Sequence, residues 1–290
     1  MKLSITDLNK QYGNGVIALN QVSLEIDKGM FGLLGPNGAG KSSLMRTLAT
    51  LQEADSGTAY LGEINVLQDK DAVRKVLGYL PQEFGVYPRT SATDLLHHLA
   101  ILKGFDQTKE RKEMVDYLLQ KVNLFEHRKK AVSSYSGGMR QRFGIAQCLI
   151  GSPKLVIVDE PTAGLDPGER NRFYNILAEI GEQTIVILST HIVQDVRELC
   201  TNMAIMDKGQ VLYKGTTDEA LYQIKGRVFE KRVNKEDLPY YQKEFQLISN
   251  KLVGGKPQIH VFSEVPLNSG FVQAEETLED VFFAKLNALV

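Results

Sequence analysis

The chain has 290 residues, 43% hydrophobic and 24% charged, enough for one large domain or one domain with a small appendage, which excludes disorder, collagen-like repeats and small disulfide scaffolds. Its 34 Lys and Arg nearly cancel its 35 Asp and Glu, so no charge excess argues for a specific nucleic-acid partner. The two cysteines, Cys148 and Cys200, are too few for a disulfide framework and lack zinc-site spacing, which fits a reducing, cytoplasmic compartment.

Leu3 and Ile5 begin an alternation of apolar and polar residues that returns at Val22, Leu24 and Ile26, the period of half-exposed and antiparallel strands. The runs at 31–34, 76–80, 155–158, 185–188 and 203–206 do not alternate. Short and apolar throughout, they predict strands covered on both faces, as in a parallel sheet with helices over it. Residues 81–154 lie between the second and third run and read as helical, with Ser91 and Asp94 at capping distance ahead of Leu95 and Leu96. A helical insertion, about 83–150, is expected within an α/β domain of residues 1–217. The rest, 218–290, predicts a small α+β C-terminal appendage: a strand at Arg227-Val228-Phe229, a hairpin around Gly254-Gly255, and a closing helix announced by Thr277 and Asp280. That helix carries Leu278, Val281, Phe282, Lys285 and Leu289 at spacings of three or four, so its apolar face is expected to dock on the larger domain or on a second copy.

The longest stretch free of Asp, Glu, Lys and Arg, Gln11 to Leu24, has 14 residues, whereas a membrane-spanning helix needs about 20 apolar ones. The first residues show no apolar run with a small-residue cleavage site, so no secretory signal is expected. Any membrane role is expected to run through a partner.

Gly35-Pro36-Asn37-Gly38-Ala39-Gly40-Lys41-Ser42 fits G-x-x-x-x-G-K-[ST], directly after the run ending at Leu34 and before a helix-like stretch. Glycines let successive backbone N–H groups point at a phosphate, the helix N-terminus adds partial positive charge, and Lys41 adds a full one. The Ser42 hydroxyl suits Mg²⁺, and Ser43 supplies a second hydroxyl. Asp159 and Glu160 close the run 155–158, an arrangement similar to that of P-loop ATPases, in which the first acid holds Mg²⁺ through water and the second polarises the attacking water. Guanine specificity is not expected, since the one Asn-Lys-x-Asp segment, Asn234 to Asp237, lies in the tail beyond residue 217 and apart from the nucleotide motifs.

Ser136-Gly137-Gly138-Met139, beginning 23 residues before Asp159, resembles the signature motif of the ABC-type ATPases. Gln82 resembles that family's Q-loop glutamine, Ala163-Gly164-Leu165-Asp166 its D-loop, His191 its switch histidine, and Tyr12 the aromatic residue on which adenine stacks. The resemblance covers residues 1–217. It implies an ABC ATPase domain with a mixed sheet core, an antiparallel N-terminal β subdomain and a helical insertion, binding ATP and Mg²⁺. It also implies a head-to-tail dimer in which Ser136, Gly137 and Gly138 close over the ATP of the other copy. Gln82 would reach Mg²⁺ or the attacking water, and His191 would bridge γ-phosphate, water and the partner's Asp166.

Tyr135 and Met139 depart from the usual Leu and Gln of the signature. Tyr-Ser-Gly-Gly-Met-Arg and Gly164-Leu165-Asp166-Pro167 are similar to the bacterial drug-, antibiotic- and polysaccharide-export ATPases, as is the segment from Thr277 to Phe282. The resemblance implies an ATP-hydrolysing subunit that energises export through separately encoded transmembrane permease subunits, on the cytoplasmic face of a bacterial membrane, paired with a second copy or a homologue. The alternative is a soluble ABC ATPase that scaffolds a non-transport complex. His97, His98, His127 and His260 lack ligand groupings. Phe84, Val86 and Tyr87 are either core or the apolar lip of a partner-binding groove.

Overall fold

A computed structural model describes residues 1–290 except Val86 and Ala163; the expectations placed on those two, at the groove lip and the head of the D-loop, lie outside the described residues. Alternation at the N-terminus builds the first layer. β1 (Leu3–Gln11) buries Leu3, Ile5 and Leu8, and β2 (Ile17–Ile26) buries Val22, Leu24 and Ile26 while Glu25 faces solvent. Beyond β3 (Gly29–Leu34) and α1 (Lys41–Leu48), the chain adds β4 (Ser56–Leu61) and β5 (Ile64–Asn65) to that layer, in the antiparallel order β2-β1-β4-β5.

The non-alternating runs make the central sheet. After α2 (Lys70–Val76) and β6 (Leu77–Leu80) come the helices α3 (Ala92–Leu102), α4 (Thr108–Lys121) and α5 (Gly137–Cys148), and then β7 (Leu155–Asp159). α6 (Pro167–Gly181), β8 (Ile185–Thr190), α7 (Val193–Leu199), β9 (Asn202–Asp207) and β10 (Gln210–Thr216) complete this part. The strand order is β10-β9-β3-β8-β7-β6, parallel except for β10, so the core is a mixed sheet.

Every residue of β7 and β8 is buried because both faces are covered. Phe31, Leu33, Leu155, Ile157, Ile185 and Ile187 face α1 and the antiparallel layer, while Leu34, Val156, Val158, Val186 and Leu188 face the helices of the other side. The register aligns Leu34 with Thr190 and Asp159 with Ser189. The carboxyl ends of β3, β7 and β8 therefore share one edge, where open α/β sheets hold their ligands. The insertion's first helix starts as its sequence predicts, with the Ser91 hydroxyl accepting from the Asp94 N–H at 3.1 Å.

The tail starts with α8 (Thr217–Tyr222), capped reciprocally by Thr216 and Glu219, so the boundary expected after Thr217 falls within a helix. β11 (Val228–Arg232), α9 (Leu238–Glu244), β12 (Gln246–Val253), β13 (Lys256–Phe262) and β14 (Val272–Gln273) follow, with the strands in antiparallel order β12-β13-β11-β14. The β12–β13 hairpin turns at Gly254-Gly255, and Thr277 and Asp280 form the capping box of α10 (Leu278–Leu286). Leu278, Val281 and Phe282 join one continuous core with Ala220, Ile224, Tyr213 and Val196. The apolar face of α10 thus docks on its own chain. A smaller core of Phe229, Val233, Ile259 and Val261 lies on the sheet's other face, under Tyr241, Phe245 and Phe271. Among the described residues no helix is long and apolar enough to cross a membrane.

Candidate functional site

β3 ends buried at Leu34 and delivers the glycine loop to the N-terminus of α1. Gly40 caps that helix with a left-handed backbone, φ 101°, and a Cβ there would lie 2.3 Å from the Ala18 carbonyl oxygen. Only glycine satisfies both demands. Among the residues Gly35, Pro36, Asn37, Gly38, Ala39, Gly40, Lys41 and Ser42, the side chain with charge is buried: Lys41 Nζ donates to the carbonyls of Gly35 at 2.7 Å and Pro36 at 3.2 Å. Burial lowers its pKa, and the carboxylates of Glu160 and Asp159 pull the other way. Tyr12 Oη shares a 2.9 Å hydrogen bond with Ser43 Oγ and donates to Gln52 Oε1 at 3.1 Å, leaving a ring 38% exposed beside the loop.

β7 brings the acid pair to the same edge. Asp159 is buried; desolvation chiefly raises its pKa, with the Ser189 and Ser42 hydroxyls opposing. Its Oδ1 has no protein hydrogen-bond partner among the described residues, and neither does Ser189 Oγ. A buried acceptor left open beside serine hydroxyls is a set of hard oxygen donors of the kind Mg²⁺ takes, with phosphate and water completing the shell. No cluster of three His, Cys, Asp or Glu residues forms a metal cage among the described residues.

Glu160 is where the separately predicted residues meet. Its N–H donates to the Ser189 carbonyl, and its backbone is left-handed at φ 47°, a strained setting for a residue with a Cβ. Oε1 lies 3.1 Å from His191 Nδ1 and 3.9 Å from Lys41 Nζ, and Oε2 accepts from Gln82 Nε2 at 3.4 Å. The residues at 41, 82, 160 and 191 thus converge on one carboxylate. His191 is 45% exposed at its side chain.

Ser136 and Gly137 are exposed at the start of α5, where the Ser136 hydroxyl accepts from the Met139 N–H at 3.2 Å. Gly138 is packed against Glu169, whose Oε2 a Cβ would meet at 2.4 Å. Asp166 caps α6, accepting from the Glu169 N–H at 2.9 Å. No hydrogen bond or ion pair among the described residues joins Ser136, Gly137, Gly138 or Asp166 to the phosphate loop. Two groups of predicted residues therefore stand apart within one chain, one built on Gly35 to Ser43 and Glu160, the other on the N-termini of α5 and α6.

A family profile described as ABC transporter matches residues 19–163, and YxlF, an uncharacterized ABC transporter ATP-binding protein of Bacillus subtilis, is 33% identical over 99% of this chain and all of its own. The chain belongs to the ABC transporter family. The daunorubicin/doxorubicin resistance ATP-binding protein DrrA of Streptomyces peucetius is 34% identical, over 76% of this chain and 67% of its own. A solved ATP-binding subunit of an ABC transporter, 26% identical, superposes with TM-score 0.68 over 77% of this chain and 93% of that one. The dimeric cassette MJ0796, at 24% identity and TM-score 0.67 over 74% and 98%, shares the fold. The chain is an ABC ATPase: it binds ATP, hydrolyses it, and serves as the ATP-binding subunit of a transporter.

The departures from the ABC signature have physical reasons. Tyr135 replaces Leu yet remains core, its ring edge-on to Phe143 and its hydroxyl donating to the His127 carbonyl at 2.9 Å. Met139 packs on the same core. Phe84 is also partly buried there, so of the two described aromatics after Gln82 only Tyr87 is exposed. Sequence reasoning missed Thr162, Tyr174 and Thr190, all of which donate to the fully buried Asp195. The spacing of Ile192, Val196 and Leu199 placed position 195 on the inner side of α7, but an acid there reads by type as solvent-facing.

Proposed function

We propose that this ABC ATPase energises export through separately encoded permease subunits, bound peripherally at the cytoplasmic face of a bacterial membrane, with residues 1–217 as the ATPase domain and 218–290 as an accessory domain. The observation that carries it is the convergence of Lys41, Gln82 and His191 on Glu160 at the open end of the sheet. In this role Lys41 and the amides from Gly35 to Ser43 hold the phosphates, and Tyr12 offers its ring to adenine. Ser42, Asp159 and Gln82 would hold Mg²⁺, which when bound draws off charge developing on the phosphate oxygens. Glu160 takes the proton of the attacking water, and His191 orients it.

The exposed amides at Ser136 and Gly137, with Gly138 behind them, suit a phosphate but stand apart from the loop of their own chain. A head-to-tail pair, with a second copy or a homologue, would bring them over the other ATP, and His191 would then meet the partner's Asp166. The drug-resistance role in DrrA's name and the Tyr-Ser-Gly-Gly-Met-Arg segment support export over the scaffold alternative. Detergent extraction of the native membrane followed by purification of the chain tests this. Recovery together with a polytopic membrane protein is expected, and recovery with soluble partners alone would overturn it.

A further inference from the structure

A buried polar junction outside the phosphate site centres on Asp195, near the start of α7. Its side chain is fully buried, at 0% exposure. Oδ2 accepts from the Thr162 hydroxyl at 2.6 Å and from the Thr190 hydroxyl at 3.0 Å, and Oδ1 accepts from the Tyr174 phenol. Each donor belongs to a different piece of the catalytic end. Thr162 follows Glu160 by two residues, and Thr190 ends β8 immediately before His191. Tyr174 lies on α6, the helix that Asp166 caps. The Thr190 hydroxyl also accepts from the Ile192 N–H at 2.9 Å, so the backbone is held on both sides of His191.

We infer that Asp195 is a positioning residue for ATP hydrolysis: one carboxylate, gripping Thr162, Thr190 and Tyr174, holds Glu160 and His191 in contact and ties them to the D-loop helix. The inference rests on the roles assigned above to Glu160 and His191. Burying a carboxylate costs several kcal/mol unless its acceptors are filled, so an aliphatic residue would serve packing better than Asp at this point. Hydroxyls from three chain segments, aimed at one group, instead specify where those segments sit. The phenol keeps its proton for this purpose, since burial, reinforced by the bond to Asp195, pushes Tyr174 well above the usual tyrosine range. Glu160 and His191 need such support. His191 is half exposed, and Glu160 sits on a strained backbone at a strand end.

The discriminating substitutions are Thr162→Val, which keeps the shape and loses the hydroxyl, and Thr162→Ser, which keeps the hydroxyl and loses the methyl. They would be purified beside Tyr174→Phe, Asp195→Asn and Glu160→Gln, and read for kcat, ATP affinity and melting temperature. Misplacing a reacting group by about 1 Å can cost on the order of 10²-fold. Asp195→Asn should accordingly lower kcat by up to about 100-fold, and Thr162→Val and Tyr174→Phe by about 10-fold, with ATP affinity within about twofold because the phosphate loop is untouched. Thr162→Ser should retain most turnover, whereas a packing role makes Val the better substitute. Should Asp195→Asn fail to fold, the Val and Ser pair still decides. A Thr162→Val enzyme as fast as wild type, beside an inactive Glu160→Gln, would overturn the role of Asp195 alone. A Glu160→Gln enzyme with wild-type turnover would instead overturn the catalytic assignment beneath it.

Discussion

The catalytic end of the central sheet and the tail treat buried polar groups in opposite ways. At the catalytic end Asp159 Oδ1 and Ser189 Oγ are buried with no protein partner, and Lys41 is buried against the loop's own carbonyls. In the tail, Asp280 is just as buried, yet it accepts from the Thr277 N–H at 3.0 Å, from the Thr277 hydroxyl at 2.7 Å and from His260 Nδ1 at 2.7 Å. No unpartnered buried side-chain atom lies in 218–290 among the described residues. Beside the phosphate loop and the acid pair, such unfilled demand suits a ligand that completes it, whereas the filled demand around Asp280 suits architecture. The sheet edge at Asp159 and the junction at Asp280 are separated by that difference.

The largest effect should come from Lys41→Ala, which removes the one cation within the loop. ATP binding or hydrolysis should be lost while the fold survives; near wild-type turnover would erase the contrast at its strongest point. Asp280→Ala probes the opposite region. It removes the acceptor for three hydrogen bonds and leaves His260 without its main partner, so unfolding stability should fall by about 3–5 kcal/mol. ATP affinity should not change, and calorimetry beside nucleotide titration checks both.

A smaller effect follows from pH. Asp280's hydrogen bond, with help from the nearby Glu230 carboxylate and against burial and Lys251, raises the His260 pKa. The stability it contributes is complete below the unfolded value of about 6.5 and is lost as pH rises through the raised folded value. For Asp280, burial alone would raise the pKa, but the bonds from His260 and Thr277 outweigh it and the net shift is downward. Its contribution is present above the unfolded value of about 3.9 and is lost as pH falls through the lower folded one. The tail should be most stable between about pH 4 and 6.5, and His260→Gln should flatten the alkaline side of that profile in chemical denaturation. The smallest effect belongs to Tyr87→Ala. ATPase activity of the isolated subunit should be unchanged, while binding to membrane subunits weakens by about 1–2 kcal/mol, the usual worth of an exposed aromatic anchor.

Much of the catalytic end was legible because its signals are local. A glycine loop between a strand and a helix, and two acids closing an apolar run, are patterns of a few adjacent residues. The meeting of Gln82 with Glu160, 78 positions apart, was accessible only through family resemblance, since spacing says nothing about which strand ends align. Asp195 was missed because its partners come from three other segments. In the tail, the hairpin and α10 announced themselves by glycines and a capping box. α9 contains no fully buried residue and β14 has only two residues, so neither could show a period. The docking of α10 was foreseeable from its apolar face, but the choice of its own chain over a second copy required the continuous core with Ala220, Ile224 and Tyr213.

The most direct test is Glu160→Gln, followed for ATP affinity, hydrolysis and light scattering with ATP and Mg²⁺. The amide keeps the shape of the junction and removes the base. ATP should bind as in the wild type, hydrolysis should fall on the order of 10²–10⁴-fold, and the protein should accumulate as an ATP-bound dimer. Hydrolysis at the wild-type rate, or a strictly monomeric protein at saturating ATP under conditions where the wild type dimerises transiently, would contradict the assignment of Glu160 as the centre of the site.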